Sequence, residues 1–164
     1  MENRPADVKA GAVELLTYAN EKDVPCGLAT STGSSLTATK LELSGLDRYF
    51  SAIVTGDDVR RGKPDPEPFV TAARRLGQHP TRCWALEDSA NGVRSALAAG
   101  CQVFQVPDLV IPSTKLRRLG HEVAETLHDV LEALREATDG RTGPSPAVAS
   151  TVEPVAETKA APAD

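Results

Sequence analysis

One stretch, Cys83 to Gly100, most constrains the fold, because it reads as a buried strand that leads directly into a helix. Its first four residues are apolar and have the length of a buried strand. Ser89 is suited to cap the helix that follows, and Val93 and Leu97 give that helix an apolar face. Gly100 suits a left-handed helix end. The stretch therefore predicts one strand–helix unit with two carboxylates, Glu87-Asp88, at the turn.

The same alternation of strand and helix continues over residues 24–137. Short apolar strands are predicted near residues 25–29, 52–54, 83–86 and 102–106, with an edge strand near 122–124. Amphipathic helices are predicted near residues 5–20, 36–43, 66–76, 89–99 and 127–134. Alternation of this kind predicts an α/β fold, with a Rossmann-like parallel sheet, helices on both faces and right-handed crossovers. The expected architecture is a three-layer sandwich.

Composition changes at the end of this region. Residues 139–164 are rich in Gly, Pro, Ala, Ser and Thr, and valine is the largest apolar side chain there. Such a segment buries too little apolar surface to offset the entropy of ordering the chain. We therefore expect a core over residues 1–138 and a disordered Pro/Ala-rich tail over residues 139–164.

Charge and cysteine content narrow the class of protein. A net charge of −5 argues against a general affinity for nucleic acid or an anionic membrane. No apolar run has the length of a membrane span, and the first residues do not resemble a signal peptide. The three cysteines, Cys26, Cys83 and Cys101, are odd in number and show no CxxC spacing. They are interpreted as buried thiols, and a cytoplasmic location is expected.

Polar groups follow three of the predicted strands: Thr30-Ser31-Thr32, Asp57-Asp58 with Lys63 beyond, and Glu87-Asp88. Ligands of open parallel sheets bind where the carboxyl ends of the strands meet. There, hydroxyls and a lysine can bind phosphate oxygens, and an acidic pair can hold Mg²⁺. The combination predicts a phosphate-and-magnesium site.

Each group also has a plainer interpretation when it is taken alone. Glu87-Asp88 could be a capped and solvated turn, Lys63 a solvated loop lysine, and Thr30 a hydroxyl at a strand end. All three groups follow predicted strands and are therefore expected at the same edge of the sheet, and this favours the joint interpretation.

Three motifs together resemble the haloacid dehalogenase superfamily, in its β-phosphoglucomutase-like phosphatase branch. The motifs are Gly27–Thr32, Gly62–Pro66, and Leu86–Ser89 followed by Asn91–Val93 and Ala98–Gly100. The resemblance implies a phosphatase or phosphomutase-like hydrolase that is Mg²⁺-dependent and acts on small phosphorylated metabolites such as sugar phosphates. It further implies an aspartyl-phosphate intermediate.

The same resemblance implies roles for particular residues. Thr30 and Lys63 match catalytic positions, and Thr30, Ser31 and Lys63 match the phosphate-binding positions. Glu87 and Asp88 match the magnesium ligands.

The sequence departs from the family pattern at one motif. The family's nucleophile begins an Asp-x-Asp-Gly-Thr run at the end of the middle strand of the sheet, and no such run occurs here. The cap domain that usually follows it is also absent. We therefore expect the C-terminal core segment only, inactive by itself, with the strands before Thr30 and before Glu87 either paired directly or left open. A complementary N-terminal fragment, or self-association through an open sheet edge, would then complete the sheet.

Two other functions use similar residues. A non-catalytic module that binds phosphate, metal or a partner would keep the same site residues. A response-regulator receiver domain is set aside, because its acidic pair precedes its hydroxyl and lysine along the chain, whereas here the acidic pair comes last.

Overall fold

The computed structural model of this protein describes residues 8–107, 111–140 and 146–150. Its helices are α1 (Ala12–Glu21), α2 (Ser34–Ser44), α3 (Glu67–Arg75), α4 (Ala90–Ala99), α5 (Thr114–Arg117) and α6 (Leu127–Asp139). Its strands are β1 (Cys26–Ala29), β2 (Ala52–Val54), β3 (Cys83–Glu87), β4 (Gln102–Gln105), β5 (Glu122–Val123) and β6 (Ala147–Ser150). Short 3-10 turns at Asp47–Tyr49 and Pro80–Arg82 lead into β2 and β3.

The six strands form one parallel sheet in the order β2-β1-β6-β3-β4-β5. Helices α1 and α6 cover one face, with a core that includes Leu15, Leu28 and Leu131. Helices α3 and α4 cover the other face, with a core that includes Phe69 and Val93. The predicted α/β fold, with helices on both faces of a parallel sheet, is confirmed.

The strand–helix unit at residues 83–100 forms as its sequence predicts. Strand β3 is largely buried, and the hydroxyl of Ser89 accepts the backbone N–H of Gly92 at 3.0 Å to begin α4. Gly100 ends the helix at φ 94°, a conformation that glycine adopts without the steric cost of a Cβ. Asp65 similarly accepts the backbone N–H of Glu67 at 2.9 Å at the start of α3.

The prediction of a disordered tail is wrong for part of residues 139–164. Asp139 ends α6, and Ala147–Ser150 form β6, whose four residues are all buried. A strand between two others can consist of small side chains when its backbone groups are paired on both sides, as those of β6 are. Of the other residues of that tail, Gly140 and Pro146 are described, and the rest lie outside the described residues.

The predicted gap in the middle of the sheet is also wrong, because β6 occupies it. In register, Ala149 lies opposite both Gly27 of β1 and Ala85 of β3. The expectation that β1 and β3 pair directly, or expose unpaired edges to each other, therefore fails. An unpaired buried backbone group costs about 1–3 kcal/mol, and that cost outweighs the weak strand preference of alanine.

None of the helices in the described ranges is both long enough and apolar enough to cross a bilayer.

Candidate functional site

An ion pair lies at the carboxyl edge of the sheet. The Lys63 ammonium is 2.8 Å from Oε1 of Glu87, and it also donates to the backbone carbonyl of Ala29 at 2.9 Å. The side chain of Lys63 is 9% exposed and that of Glu87 is 1% exposed. The ends of β1 and β3 thus hold the lysine in one position, and β6 runs between those two strands.

The loop that carries Lys63 is fixed by α3. Both carboxylate oxygens of Glu67 accept backbone N–H groups, from Arg60 and Arg61, each at 2.9 Å. The ammonium lies 5.2 Å from the centre of the Phe69 ring, within range of a cation–π attraction. Because the loop is held on both sides of Lys63, the ammonium is placed before any ligand arrives.

The Glu87 carboxylate fits only because residue 92 is glycine. A Cβ on Gly92 would overlap the carboxylate of Glu87. The Ser89 hydroxyl lies 3.4 Å from Oε2 on the same side. The presence of glycine at position 92 of the motif therefore has a steric explanation. The first turn of α4 must leave room for the buried Glu87 carboxylate.

Thr30 and Ser31 form the adjoining loop after β1. Thr30 is 3% exposed, and its hydroxyl oxygen accepts the backbone N–H of Thr32 at 3.0 Å. A hydroxyl that accepts one hydrogen bond can still donate its own proton to a ligand. Ser31 is exposed. Gly56 of the next loop packs directly on the Ser31 carbonyl, where a Cβ would not fit, so the two loops are pressed together.

The acidic pair after β2 has a structural role. Asp57 accepts the backbone N–H of Ser34 at 2.7 Å at the start of α2. Asp58 accepts the backbone N–H of Thr55 at 2.7 Å and lies 3.2 Å from the Arg75 guanidinium. The Thr55 backbone hydrogen bond, followed by that of its hydroxyl, lowers the pKa of Asp58. These two carboxylates shape the loop and are already engaged with the protein.

The two predicted magnesium ligands lie in different surroundings. Asp88 is exposed at the end of β3, whereas Glu87 is buried with one oxygen on Lys63. No cluster of three or more His, Cys, Asp or Glu side chains occurs in the part of the chain that the structure describes. A hydrated Mg²⁺ that keeps several waters needs only one or two carboxylates, so the donor set fits such an ion with Asp88 as the accessible ligand. Joint ligation by Glu87 and Asp88 stays a prediction.

The cysteines are buried free thiols, as predicted. Burial raises the pKa of Cys26 and of Cys101 to about 12, so both thiols are protonated at neutral pH. This leaves them poor nucleophiles and poor metal ligands.

Three contributors to the site had no role assigned from the sequence: Glu67, strand β6, and Gly92, which stood in a motif without a stated role. Glu67 carried a usable signal, since a carboxylate in the first turn of a helix can accept backbone N–H groups that precede it. Gly92 gave only a weak signal, because a glycine inside a helix points to close packing without naming the neighbour. The four residues of β6, Ala-Val-Ala-Ser, gave no signal that distinguishes a strand from the rest of the Pro/Ala-rich tail.

A family model described as haloacid dehalogenase-like hydrolase matches residues 2–100. The chain belongs to this family. The resemblance found in the motifs is thereby confirmed for the superfamily, and similar proteins bear out its phosphatase and β-phosphoglucomutase-like character.

Two curated relatives with different named activities are similar to this chain. The "Bifunctional riboflavin kinase/FMN phosphatase" of Arabidopsis thaliana is 36% identical over 121 residues, which cover 73% of this chain and 32% of the relative. The "Phosphorylated carbohydrates phosphatase" of Thermotoga maritima is 32% identical over 127 residues, 77% of this chain and 59% of the relative. This member of the haloacid dehalogenase-like family thus spans between about a third and three fifths of their lengths.

Solved structures of the family share the fold. The crystal structure of a candidate beta-phosphoglucomutase from Thermotoga maritima matches with a TM-score of 0.71 at 31% identity. The match covers 77% of this chain and 59% of that one.

Proposed function

We propose that this chain provides the phosphate site of a haloacid dehalogenase-like phosphatase or phosphomutase that acts on small phosphorylated metabolites such as sugar phosphates. One observation carries the proposal: the Lys63 ammonium is locked between the Glu87 carboxylate and the Ala29 carbonyl. Those two contacts use two of its three N–H donors, and the third is left for a ligand. A fixed cation at the carboxyl edge of a parallel sheet suits a phosphoryl group.

The remaining residues take roles that follow from their positions. Thr30 and Ser31 would donate hydroxyl hydrogen bonds to phosphate oxygens, next to Lys63. The exposed Asp88, together with the buried Glu87, would hold a hydrated Mg²⁺. When bound, that ion would neutralise charge on the phosphate oxygens. Glu87 holds the Lys63 ammonium in place at 2.8 Å, so it would serve the phosphate site even where it does not touch the metal.

The relatives' names support a phosphomonoester substrate without selecting one. One relative is named for FMN and the other for phosphorylated carbohydrates. Sugar phosphates are our proposed class, because the carbohydrate phosphatase is matched over more of its own length.

A second candidate is a non-catalytic module that binds phosphate. It is favoured by the described part of β6, where the middle strand carries Ala, Val, Ala and Ser and brings no carboxylate to the site. The sequence also contains no Asp-x-Asp-Gly-Thr run. We therefore expect the isolated chain to bind phosphate without turning over a substrate.

Phosphate binding by calorimetry tests the site. Losing one charge-assisted hydrogen bond costs roughly 1.5–3 kcal/mol, so Lys63→Met should weaken binding of inorganic phosphate by about tenfold or more. Lys115→Met, which makes the same change at an exposed lysine on α5, is the matched control and should bind as the wild type does. The melting temperature of each variant is measured alongside, since Lys63→Met leaves Glu87 without its cation. Equal affinity in a folded Lys63→Met variant would refute the role of Lys63.

Hydrolysis of a panel of sugar phosphates with Mg²⁺ separates the two candidates. Binding without turnover supports the module, turnover supports the enzyme, and absence of both contradicts the proposed site.

Metal binding is checked through Asp88. Asp88→Asn should abolish the effect of millimolar Mg²⁺ on backbone amide shifts near residues 87–89, because the accessible carboxylate is removed. Asp47→Asn, at an exposed aspartate before β2 and thus at the opposite edge of the sheet, should leave that effect intact. An unchanged response in Asp88→Asn would exclude this ligand.

A further inference from the structure

Lys9 is a second lysine at the carboxyl edge of the sheet. It precedes α1, and its ammonium donates to the backbone carbonyl of Val106 at 3.1 Å, although the two residues are 97 positions apart. Val106 directly follows β4, and its own backbone N–H donates to the Glu87 carbonyl at 2.7 Å. The Lys9 ammonium is therefore held next to the end of β3, where Glu87 and Asp88 lie.

Lys9 and Lys63 reach this edge from opposite faces of the sheet. Val8, which precedes Lys9, and Val106 both pack in the core beneath α1 and α6. Lys63 instead lies over the ring of Phe69, which belongs to the core beneath α3 and α4. One ammonium is at the end of β3 and the other at the end of its neighbour β4. Because adjacent strands are about 4.8 Å apart, the two ammoniums are separated by one to two strand spacings, roughly 5–10 Å.

The two lysines differ in their counter-ions. Lys63 is paired with the buried carboxylate of Glu87. Lys9 is half-buried, and within the described ranges no carboxylate lies at ion-pair distance from its ammonium. A partly buried charge without a counter-ion costs free energy, which a bound anion would recover. The Val106 carbonyl uses one of the three N–H donors of Lys9, so two donors remain for such an anion.

We propose that Lys9 binds a second anionic group of the ligand, so that the site selects phosphorylated metabolites that carry another phosphate or a carboxylate. The proposal rests on the function proposed above, in which Lys63 and Thr30 bind the first phosphate. A separation of roughly 5–10 Å corresponds to the two ends of a small metabolite, which would lie across the edge of the sheet from one face to the other. Lys9 is thus a specificity-determining residue.

Calorimetry with matched ligand pairs tests this role in the full chain. Fructose 1,6-bisphosphate is compared with fructose 6-phosphate, and 3-phosphoglycerate with glycerol 3-phosphate. The members of each pair differ by one anionic group, a phosphate in the first pair and a carboxylate in the second. The wild type should bind the doubly anionic member of at least one pair about tenfold more tightly or better, because one charge-assisted contact is added. The pair that shows the preference identifies the second group.

Lys9→Met should reduce that ratio of affinities by about tenfold or more, whereas Lys115→Met, the matched control on α5, should keep it. A lysine that only ties the chain before α1 to β4 would alter the melting temperature and leave the ratio unchanged. An unchanged ratio in a folded Lys9→Met chain would therefore overturn the proposal.

The wild-type comparison requires no variant, so it decides the question even if Lys9→Met does not fold. Phosphate binding without a preference in either pair would overturn the role of Lys9 alone. Absence of binding by inorganic phosphate and by all four esters would refute the phosphate site itself, and the role of Lys9 with it.

Discussion

Because Gly92 has no side chain, the Glu87 carboxylate can occupy its buried position next to α4. The α-hydrogen of Gly92 faces the Glu87 carboxylate, which in turn holds Lys63. Substitution by alanine normally stabilises a helix interior by about 1 kcal/mol. Here we expect the reverse, because the added Cβ displaces a buried carboxylate from its cation.

Thermal unfolding and phosphate titration check this prediction. Gly92→Ala should lower the melting temperature by several degrees and weaken phosphate binding together, since Lys63 loses its anchor. Gly62→Ala is the matched control for stability, because a Cβ there meets no atom within 4 Å. A Gly92→Ala chain as stable as the wild type would show that Glu87 can move without cost.

Asp58 makes stability depend on pH. Its pKa is held below the usual value, chiefly by the Thr55 backbone hydrogen bond. A depressed carboxyl pKa stabilises the fold above the unfolded value of about 3.9 and loses that effect as the pH falls through the folded pKa. Asp58→Asn should therefore melt below the wild type at neutral pH. The two melting curves should converge in acid, and a constant difference down to about pH 2 would contradict this origin.

At the scale of single residues, the sequence identified the groups but not their neighbours. Lys63 and Glu87 were each predicted in a site, yet their direct contact depends on the path of the loop from β2 to α3, which no local pattern encodes. The pairing of Asp58 with Arg75 could not be predicted for the same reason. The two residues are 17 positions apart and meet only after α3 forms.

Strand β6 is the element on which the sheet depends. Ala149 is 0% exposed and sits against the α3 layer, so a larger side chain has no space. Overpacking of this kind typically costs about 1–3 kcal/mol. Ala149→Leu should therefore lower the free energy of unfolding by this order.

Chemical denaturation measures that loss. Ala98→Leu makes the same change at an exposed position of α4 and should leave the unfolding free energy within roughly 0.5 kcal/mol of the wild type. If both variants unfold alike, the strand does not pack as described.

Elements with strong periodicity were predictable, and the short central strand was not. Helices α3, α4 and α6 and strands β1 to β4 follow from apolar spacing, and the start of α4 follows from its Ser89 cap. Four small residues in a Pro- and Ala-rich context carry no such signal. Their place in the sheet is determined by two distant strand edges that need partners, and this is a tertiary cause.

At the scale of the whole molecule, the parallel sheet and its layers follow from chain order, but the closure of the sheet does not. Alternating strands and helices fix the direction of each strand and the face of each helix. They leave open which segment lies between β1 and β3. The resemblance to known phosphatases indicated that a strand belongs there, and the structure supplies it from a later part of the chain.

The late position of β6 has a consequence for synthesis on the ribosome. Strand β3 ends at Glu87, whereas the strand that joins it to β1 ends at Ser150. Elongation at about 5–20 residues per second puts several seconds between the emergence of the two. During that interval the nascent chain holds two half-sheets whose inner edges lack their native partner. Chaperone capture during translation should therefore be greatest before residue 150 emerges and should fall once β6 is free to insert.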